Sequence, residues 1–447
     1  MEDIKKFCVV SCPISTRSGY GARSRDFVRA LIDARPDWDV HILSQRWGST
    51  PMDALIPGED DDLLNRIITK KENKKPNVWI QITVPNEFQP VGDYNIGVTA
   101  GVETTIMPPE CLEGMNRMDK VLVSSNFTKE VIQASQFDKK DKETDRLLGQ
   151  LKIEKPVDVL FEGIDLEVYD NKAPSEERVD EIFKGVKESF CFLFVGHWLK
   201  GEFAQDRKNI GGMIQTFLEV FKNKKNPPAL ILKTNRGNSS LTDRVYTKKI
   251  IEQIKDSVDS KRLPNIYLLN SDLTDWEMNA LYNHSKVKAH ISFTRGEGFG
   301  RPLLEATISG KPMVVSAWSG QTDFLNKEMI TTIGGKLTQV HPSAADKFIL
   351  NEAQWFEIDY NLAGGTMKDI FDNYKKYLTK SRKHRQYTKD NFTWEHMRDL
   401  LSEQLKDADT AKVSPTQVGL QLPKLKKKGE TPTLPKLELP KLKKVGE

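Results

Sequence analysis

The chain has 447 residues, 29% charged and 38% hydrophobic, enough for two or three domains with real cores. Its formal net charge of +4 hides an asymmetry, because residues 421–447 hold eight lysines and three glutamates, which leaves −1 for everything before them. Any attraction to polyanions must therefore come from local patches or from the tail, not from the overall charge of the body, and no apolar run approaches the roughly 18 residues of a membrane span.

Taken in order, the opening MEDIKKFCVVSCP is too short in apolar residues for a signal peptide and runs straight into a strand, Phe7 to Cys12. A loop from Ile14 to Arg23 follows, with Gly19 and Gly21 in the pattern SxxxGYGxR, and a helix is expected over Asp26 to Asp33. Asp39 to Ser44, Val78 to Val84, Tyr94 to Thr99, Lys120 to Ser124 and Pro156 to Leu160 read as further strands. Asn126-Phe127-Thr128 reads as a helix start, and the charged stretch 136–155 as an exposed insertion. A second series begins near Phe190: strands Cys191 to Val195, Ala229 to Lys233 and Asn265 to Leu269, with helices Ile210 to Phe221 and Asp275 to Tyr282. Strands alternating with helices in this way predict an α/β class with two doubly wound, Rossmann-like domains meeting near residues 170–188 across a central cleft. After residue 366 the pattern is helical, with Met367 to Tyr377 and Trp394 to Leu405 as the clearest segments. Leu-Pro-Lys-Leu then recurs at 422–425, 434–437 and 439–442, and prolines so spaced predict an extended, disordered tail.

The densest chemistry lies in residues 291–325, ISFTRGEGFGRPLLEATISGKPMVVSAWSGQTDFL. An apolar strand, Ala289 to Phe293, enters a turn punctuated by Gly296, Gly298 and Gly300. Pro302 then fits the first turn of a helix that Gly310 and Pro312 stop, ahead of a strand, Met313 to Ser316. Strand, glycine turn and helix N-terminus describe an anion site at the carboxyl edge of a parallel sheet. Glu297 and Glu305 flank it. Carboxylates repel phosphate but accept strongly from hydroxyls, so the pair fits a phosphate-bearing, hydroxyl-rich ligand. Their spacing alone equally fits a solvated loop residue and an acid at a helix N-terminus. The Gly196-His197 turn, the Arg207-Lys208-Asn209 run and Lys233 at a strand's carboxyl end add cations that could meet a diphosphate. Cys8, Cys12, Cys111 and Cys191 show no metal spacing and read as reduced, buried thiols of a cytoplasmic protein. The seven histidines include no HxxxH or HExxH pair, so no bound metal or other cofactor is expected.

The order GYG loop, SNFTKEVI, PVDVLFEGID, RKN, EGFGRPLLEA and GKPMVVS resembles retaining glycosyltransferases of the GT-B fold that share an E-x7-E motif and use nucleotide-sugar donors. It covers roughly residues 5–405, and Phe392-Thr393-Trp394-Glu395 resembles the family's closing helix. The resemblance implies residues 1–175 as the acceptor-side domain and 176–366 as the nucleotide-sugar domain. Residues 367–406 would be helices crossing back, and 407–447 the tail. It also implies that Glu305 binds the ribose and Glu297 lies by the transferred sugar. The amides of Gly298, Phe299, Gly300 and Arg301 would cradle diphosphate or sugar, and Lys208 would bind phosphate. The family's usual arginine after the strand-ending glycine is His197 here, and an insertion separates it from Arg207, so the second phosphate contact falls to Arg207 or Lys233. Many relatives offer a histidine from the N-terminal domain; this chain has none in Gly97 to Thr105, and Glu103 is the nearest polar residue.

The expectation is retaining, metal-independent transfer of a sugar from a nucleoside-diphosphate sugar, bound as substrate, to a glycan, lipid-linked or polymeric hydroxyl acceptor. The alternatives are a glycosyltransferase acting on modified DNA through its basic tail, and a non-catalytic GT-B binding protein. Residues 421–447 are the expected place for any nucleic-acid or protein contact.

Overall fold

A computed structural model describes residues 5–70, 74–140, 144, 146–172, 175–237 and 239–410; the Leu-Pro-Lys-Leu repeats lie outside the described residues. The first half contains β1 (Lys6–Cys12), β2 (Trp38–Ser44), β3 (Val78–Ile82), β4 (Tyr94–Thr99), β5 (Lys120–Val123), the hairpin strands β6 (Phe137–Lys140) and β7 (Leu147–Leu151), and β8 (Val157–Val159). Six of them form a parallel sheet in the order β2-β1-β3-β4-β5-β8, while β6 and β7 pair separately and antiparallel. The second half contributes β9 (Cys191–Val195), β10 (Ala229–Lys233), β11 (Ile266–Leu269), β12 (Val287–Ser292), β13 (Met313–Ser316) and β14 (Thr331–Ile333), parallel in the order β11-β10-β9-β12-β13-β14. An antiparallel pair, β15 (Gly335–Gln339) and β16 (Gln354–Ile358), completes it. Central strands such as CFLFV are apolar throughout because helices cover both faces of the sheet.

Strand order fixes where ligands can sit. In the second sheet the chain reverses between β9 and β12, and the crevice beyond their carboxyl ends is the switch point. The loops leaving those two strands carry Gly196-His197 and Thr294 to Gly300 respectively. In the first sheet the reversal falls between β1 and β3.

Several elements depart from expectation for local reasons. The first helix runs Gly19–Ala34, not from Asp26, because Ser18 caps it by accepting from the Gly21 amide. The glycine loop is therefore half helix. The helical segment expected over Met367 to Tyr377 is two helices, Tyr360–Asp372 and Tyr374–Asn391, broken at Asn373. Asp359 starts the former by accepting from the amides of Asn361 and Leu362.

The chain then returns to the first sheet. Ile164 donates its amide to Phe392 O (2.9 Å) and accepts from Trp394 N (2.8 Å). Helix Trp394–Gln404 lays Met397 and Leu401 into the core that holds Cys8, Val10 and Phe27. Ile164 and Tyr169 pack instead with the second sheet's core. Among the described residues no helix is long and apolar enough to cross a membrane. The four cysteines are free and buried.

Candidate active site

Two ionic clusters occupy the switch point of the second sheet. The first centres on Glu297, which is 8% exposed. Its Oε1 contacts Lys208 Nζ and its Oε2 lies 3.3 Å from Arg207 Nη1. Arg207 also donates to Gly296 O (2.7 Å) and stands 3.6 Å from Glu103, which reaches across from the first domain. Burial pushes the Glu297 carboxyl up, but Lys208 and Arg207 outweigh it and hold it below the usual carboxylate range. Glu297 N donates to Ser319 Oγ (2.9 Å), and Ser319 adopts φ +72°. Asn209, directly after Lys208, adopts φ +52°. Non-glycine residues in this region carry strain that surrounding contacts must hold, and here they bracket the ion pair.

The second cluster centres on Glu305, in the helix Arg301–Ile308. Its Oε2 accepts from Tyr282 Oη (2.9 Å) and its Oε1 from Arg301 Nε (2.9 Å). Burial dominates here and raises the carboxyl to about 7, against the pull of Arg301. Each oxygen keeps a further lone pair for a ligand hydroxyl. Arg301 also contacts Asp26 of the first domain and lies 3.8 Å from Glu162. Glu162 is 7% exposed, and its carboxylate makes no hydrogen bond among the described residues. Arg301 thus does more than begin a helix: its guanidinium ties the two domains together.

Lys233 ends β10 and its ammonium has no hydrogen bond or ion pair among the described residues; burial lowers its pKa, opposed by Asp272 and Glu305. His197, in the loop leaving the neighbouring β9, bonds Asn235 Oδ1 through Nδ1 (2.6 Å). Desolvation pulls it below the usual imidazole range, and Lys208, Lys233 and Arg207 add to that against the Asn235 bond. A neutral ring presents Nε2 as an acceptor when Nδ1 carries the proton.

The glycines divide by cause. A Cβ on Gly296 would meet Glu103 O at 1.8 Å, and one on Gly298 would meet Ala100 O at 2.2 Å. These two make room for the backbone of the other domain. Ser125 Oγ donates to Gly298 O (2.6 Å), and Asn126 N to Asp323 (2.7 Å), across the same seam. Gly300, at φ +97°, alone supplies a left-handed residue, and it sits just ahead of the helix. Phe299 is buried against Phe324 at 5.0 Å. In the first domain, Gly21 packs on Thr16 O, and Gly19 faces open space. Between them Tyr20 reaches Thr99 Oγ1 (2.9 Å) and accepts from Ala100 N (3.1 Å).

The structure therefore brings Glu297, Lys208, Arg207 and Glu103 together, and Glu305 with Arg301. Among the described residues neither Gly19 nor Gly21 bonds to either cluster; the Gly21 amide is spent on Ser18 Oγ. Sequence reasoning missed Tyr282, Asp26, Glu162 and Ser319 as site residues. Glu162 had one signal, its place in FEGID at a strand end, and Ser319 another, the small-residue turn Trp318-Ser319-Gly320-Gln321 after a strand; Tyr282 and Asp26 had none.

No family model and no curated protein matches the sequence. Solved structures match in shape. A glycosyltransferase from Rickettsia africae aligns at TM-score 0.58 and 14% identity over 92% of this chain and 100% of its own. Sucrose-phosphate synthase from Thermosynechococcus elongatus aligns at 0.58 and 12%, over 91% and 100%. Anabaena HepE, solved in complex with UDP and glucose, aligns at 0.54 and 13%, over 90% and 100%. The fold is GT-B. In GT-B terms both clusters lie at the cleft edge of the second domain, with Asp26, Glu103 and Glu162 facing them from the first.

Proposed function

We propose that this chain is a glycosyltransferase that moves a sugar from a nucleoside-diphosphate sugar to a hydroxyl acceptor, with retention at the anomeric carbon. The observation that carries the reading is the cluster of Lys208, Arg207 and Glu297 at the switch point, beside a buried Glu305. Breaking the bond from the anomeric carbon to the diphosphate oxygen places charge on the leaving group. Lys208, Arg207 and the unpaired Lys233 would meet that charge together with the amides at the start of helix Arg301–Ile308. With these cations at hand the reading needs no metal. The acceptor oxygen bonds to the anomeric carbon, and its proton passes to the departing phosphate. Attack from the leaving-group face gives retention.

Glu305 would accept from the ribose hydroxyls and Glu297 would orient the sugar while holding Lys208 and Arg207 in place. The amides of Gly298, Phe299 and Gly300 would line the sugar-diphosphate, with His197 Nε2 and the Gly19–Gly21 turn at its rim. Glu103 would face the reacting centre from the first domain. HepE in complex with UDP and glucose, and an Escherichia coli trehalose-6-phosphate protein bound with UDP-2-fluoro glucose, make uridine donors the first to try. The free, buried cysteines fit a reducing, cytoplasmic compartment.

The test is a thermal-shift and donor-hydrolysis panel of UDP-, GDP-, ADP- and TDP-sugars, with Glu305→Ala as control. At least one donor should stabilise the wild type and lose its effect in the variant. If none stabilises the wild type, the reading is wrong.

A further inference from the structure

The insertion that parts His197 from Arg207 carries Phe203 and Ala204. Two adjoining hollows, about 610 Å³ and about 460 Å³, meet at Phe203, Ala204 and Gln215. One lies between helices Ile210–Phe221 and Tyr360–Asp372, the other between Ile210–Phe221 and Leu241–Asp256. No residue of the Glu305 cluster lines either hollow.

Phe203 is 52% exposed on the ridge between them, and Tyr246, also 52% exposed, flanks the second hollow. An aromatic ring held in water at a loop tip costs hydrophobic free energy, and here the backbone that presents it is strained as well. Ala204 carries that strain at φ +57°, while Gly201, at φ +150°, is a place only glycine fits, since a Cβ there would meet Asp206 N at 2.6 Å. The loop is nonetheless pinned: Arg295 donates to Ala204 O (2.8 Å), Lys200 to Ala345 O (2.6 Å), and Glu202 N to Ser343 Oγ (2.9 Å). Strain that surrounding bonds maintain points to function at the presented residue.

The walls indicate the ligand's chemistry. Each carboxylate lining the first hollow already has a cation: Glu219 has Lys222 at 2.7 Å and Glu357 has Arg295 at 3.4 Å. Neither an anion nor a cation finds an unmatched charge there. The side-chain amides of Gln205, Gln215 and Asn361 line the hollow and make no hydrogen bond among the described residues. An amide both donates and accepts, as a hydroxyl does. The exposed Phe203 ring, the free amides and the paired charges of the first hollow suit an uncharged ligand that is apolar on its ring face and hydroxyl-rich at its edge; in the second hollow Arg236 lies over the Tyr246 ring at 4.9 Å and adds donors for its hydroxyls. Two hollows in series suit a chain of such rings.

We propose that the hollows joined at Phe203 form a binding site for a neutral oligosaccharide, separate from the cleft. Insofar as this makes the acceptor a glycan chain held at a second point, it rests on the glycosyl-transfer reading; the binding itself does not. Arg295 links the two places, since it lines the first hollow, precedes Gly296-Glu297 and donates its amide to Arg207 O (2.7 Å).

The experiment is calorimetric titration of the full-length protein with maltohexaose, cellohexaose, mannohexaose and chitohexaose, in wild type, Phe203→Ala and Phe203→Tyr. At least one hexasaccharide should bind the wild type, about tenfold or more weaker to Phe203→Ala, with affinity kept by Phe203→Tyr. UDP-glucose should not compete. Binding of none of the four, binding indifferent to Phe203→Ala, or competition by UDP-glucose would each overturn the site. A nucleotide-sugar thermal shift on the same proteins separates the two ideas: no donor response with intact hexasaccharide binding removes the enzyme reading and leaves the groove.

Discussion

The two carboxylate clusters of the cleft are equally buried and oppositely tuned. Glu297 meets two cations and stays ionised, while Glu305 meets one cation and a tyrosine and is raised to about 7. Burial acts alike on both; the number of charged partners decides. A carboxylate clamped by Lys208 and Arg207 is a fixed counter-charge that positions cations. One poised near neutrality can gain or lose its proton as the cleft fills. Their places in the sequence, Glu297 within the glycine turn and Glu305 five residues past Gly300, give no hint of this division.

The sharpest way to break the comparison is to remove the counter-charge. Glu297→Ala would leave Lys208 and Arg207 buried with only Glu103 nearby, so a loss of about 3–5 kcal/mol of stability is expected, as for other broken buried pairs. Urea denaturation should read it, and Glu305→Ala, which strands a single arginine that keeps Asp26, should cost clearly less. Equal losses would deny the difference between the clusters.

A smaller effect concerns the seam between domains. Gly298→Ala sets a Cβ against Ala100 O, where 2.2 Å separates them, and should cost about 1–3 kcal/mol as overpacking does. It should also expand the molecule in small-angle scattering. Gly300→Ala keeps the seam but strains a left-handed turn, at about 1 kcal/mol, with no change in dimensions.

The smallest effect is one of pH. Glu305 is protonated below about 7 and then loses acceptor capacity for a ribose hydroxyl. Donor affinity should therefore fall as pH drops from 8 to 6, by up to about tenfold over the two units. Titration calorimetry with the best donor should show this slope in the wild type and a flat line in Glu305→Gln. Stability carries the opposite sign. The folded pKa lies above the unfolded one, so the proton-bound form is favoured by folding, and that contribution is lost as pH rises toward and through 7.

Sequence determined the alternation of strand and helix, and through it both parallel sheets, the Glu297 turn and the cations at strand ends. Those signals are local, since apolar runs of strand length, glycine and proline act within a few residues of themselves. Only the tertiary structure decided what the side chains meet. Glu305 finds Tyr282 from a neighbouring helix, Arg301 finds Asp26 from the other domain, and Gly296 and Gly298 yield to a backbone nearly two hundred residues earlier in the chain. The insertion after His197 read as a mere interruption, and its exposed Phe203 acquires meaning only between two helices that sequence placed far apart. Packing across long separations sets burial and charge partners, and these set proton affinity; neither is written in spacing.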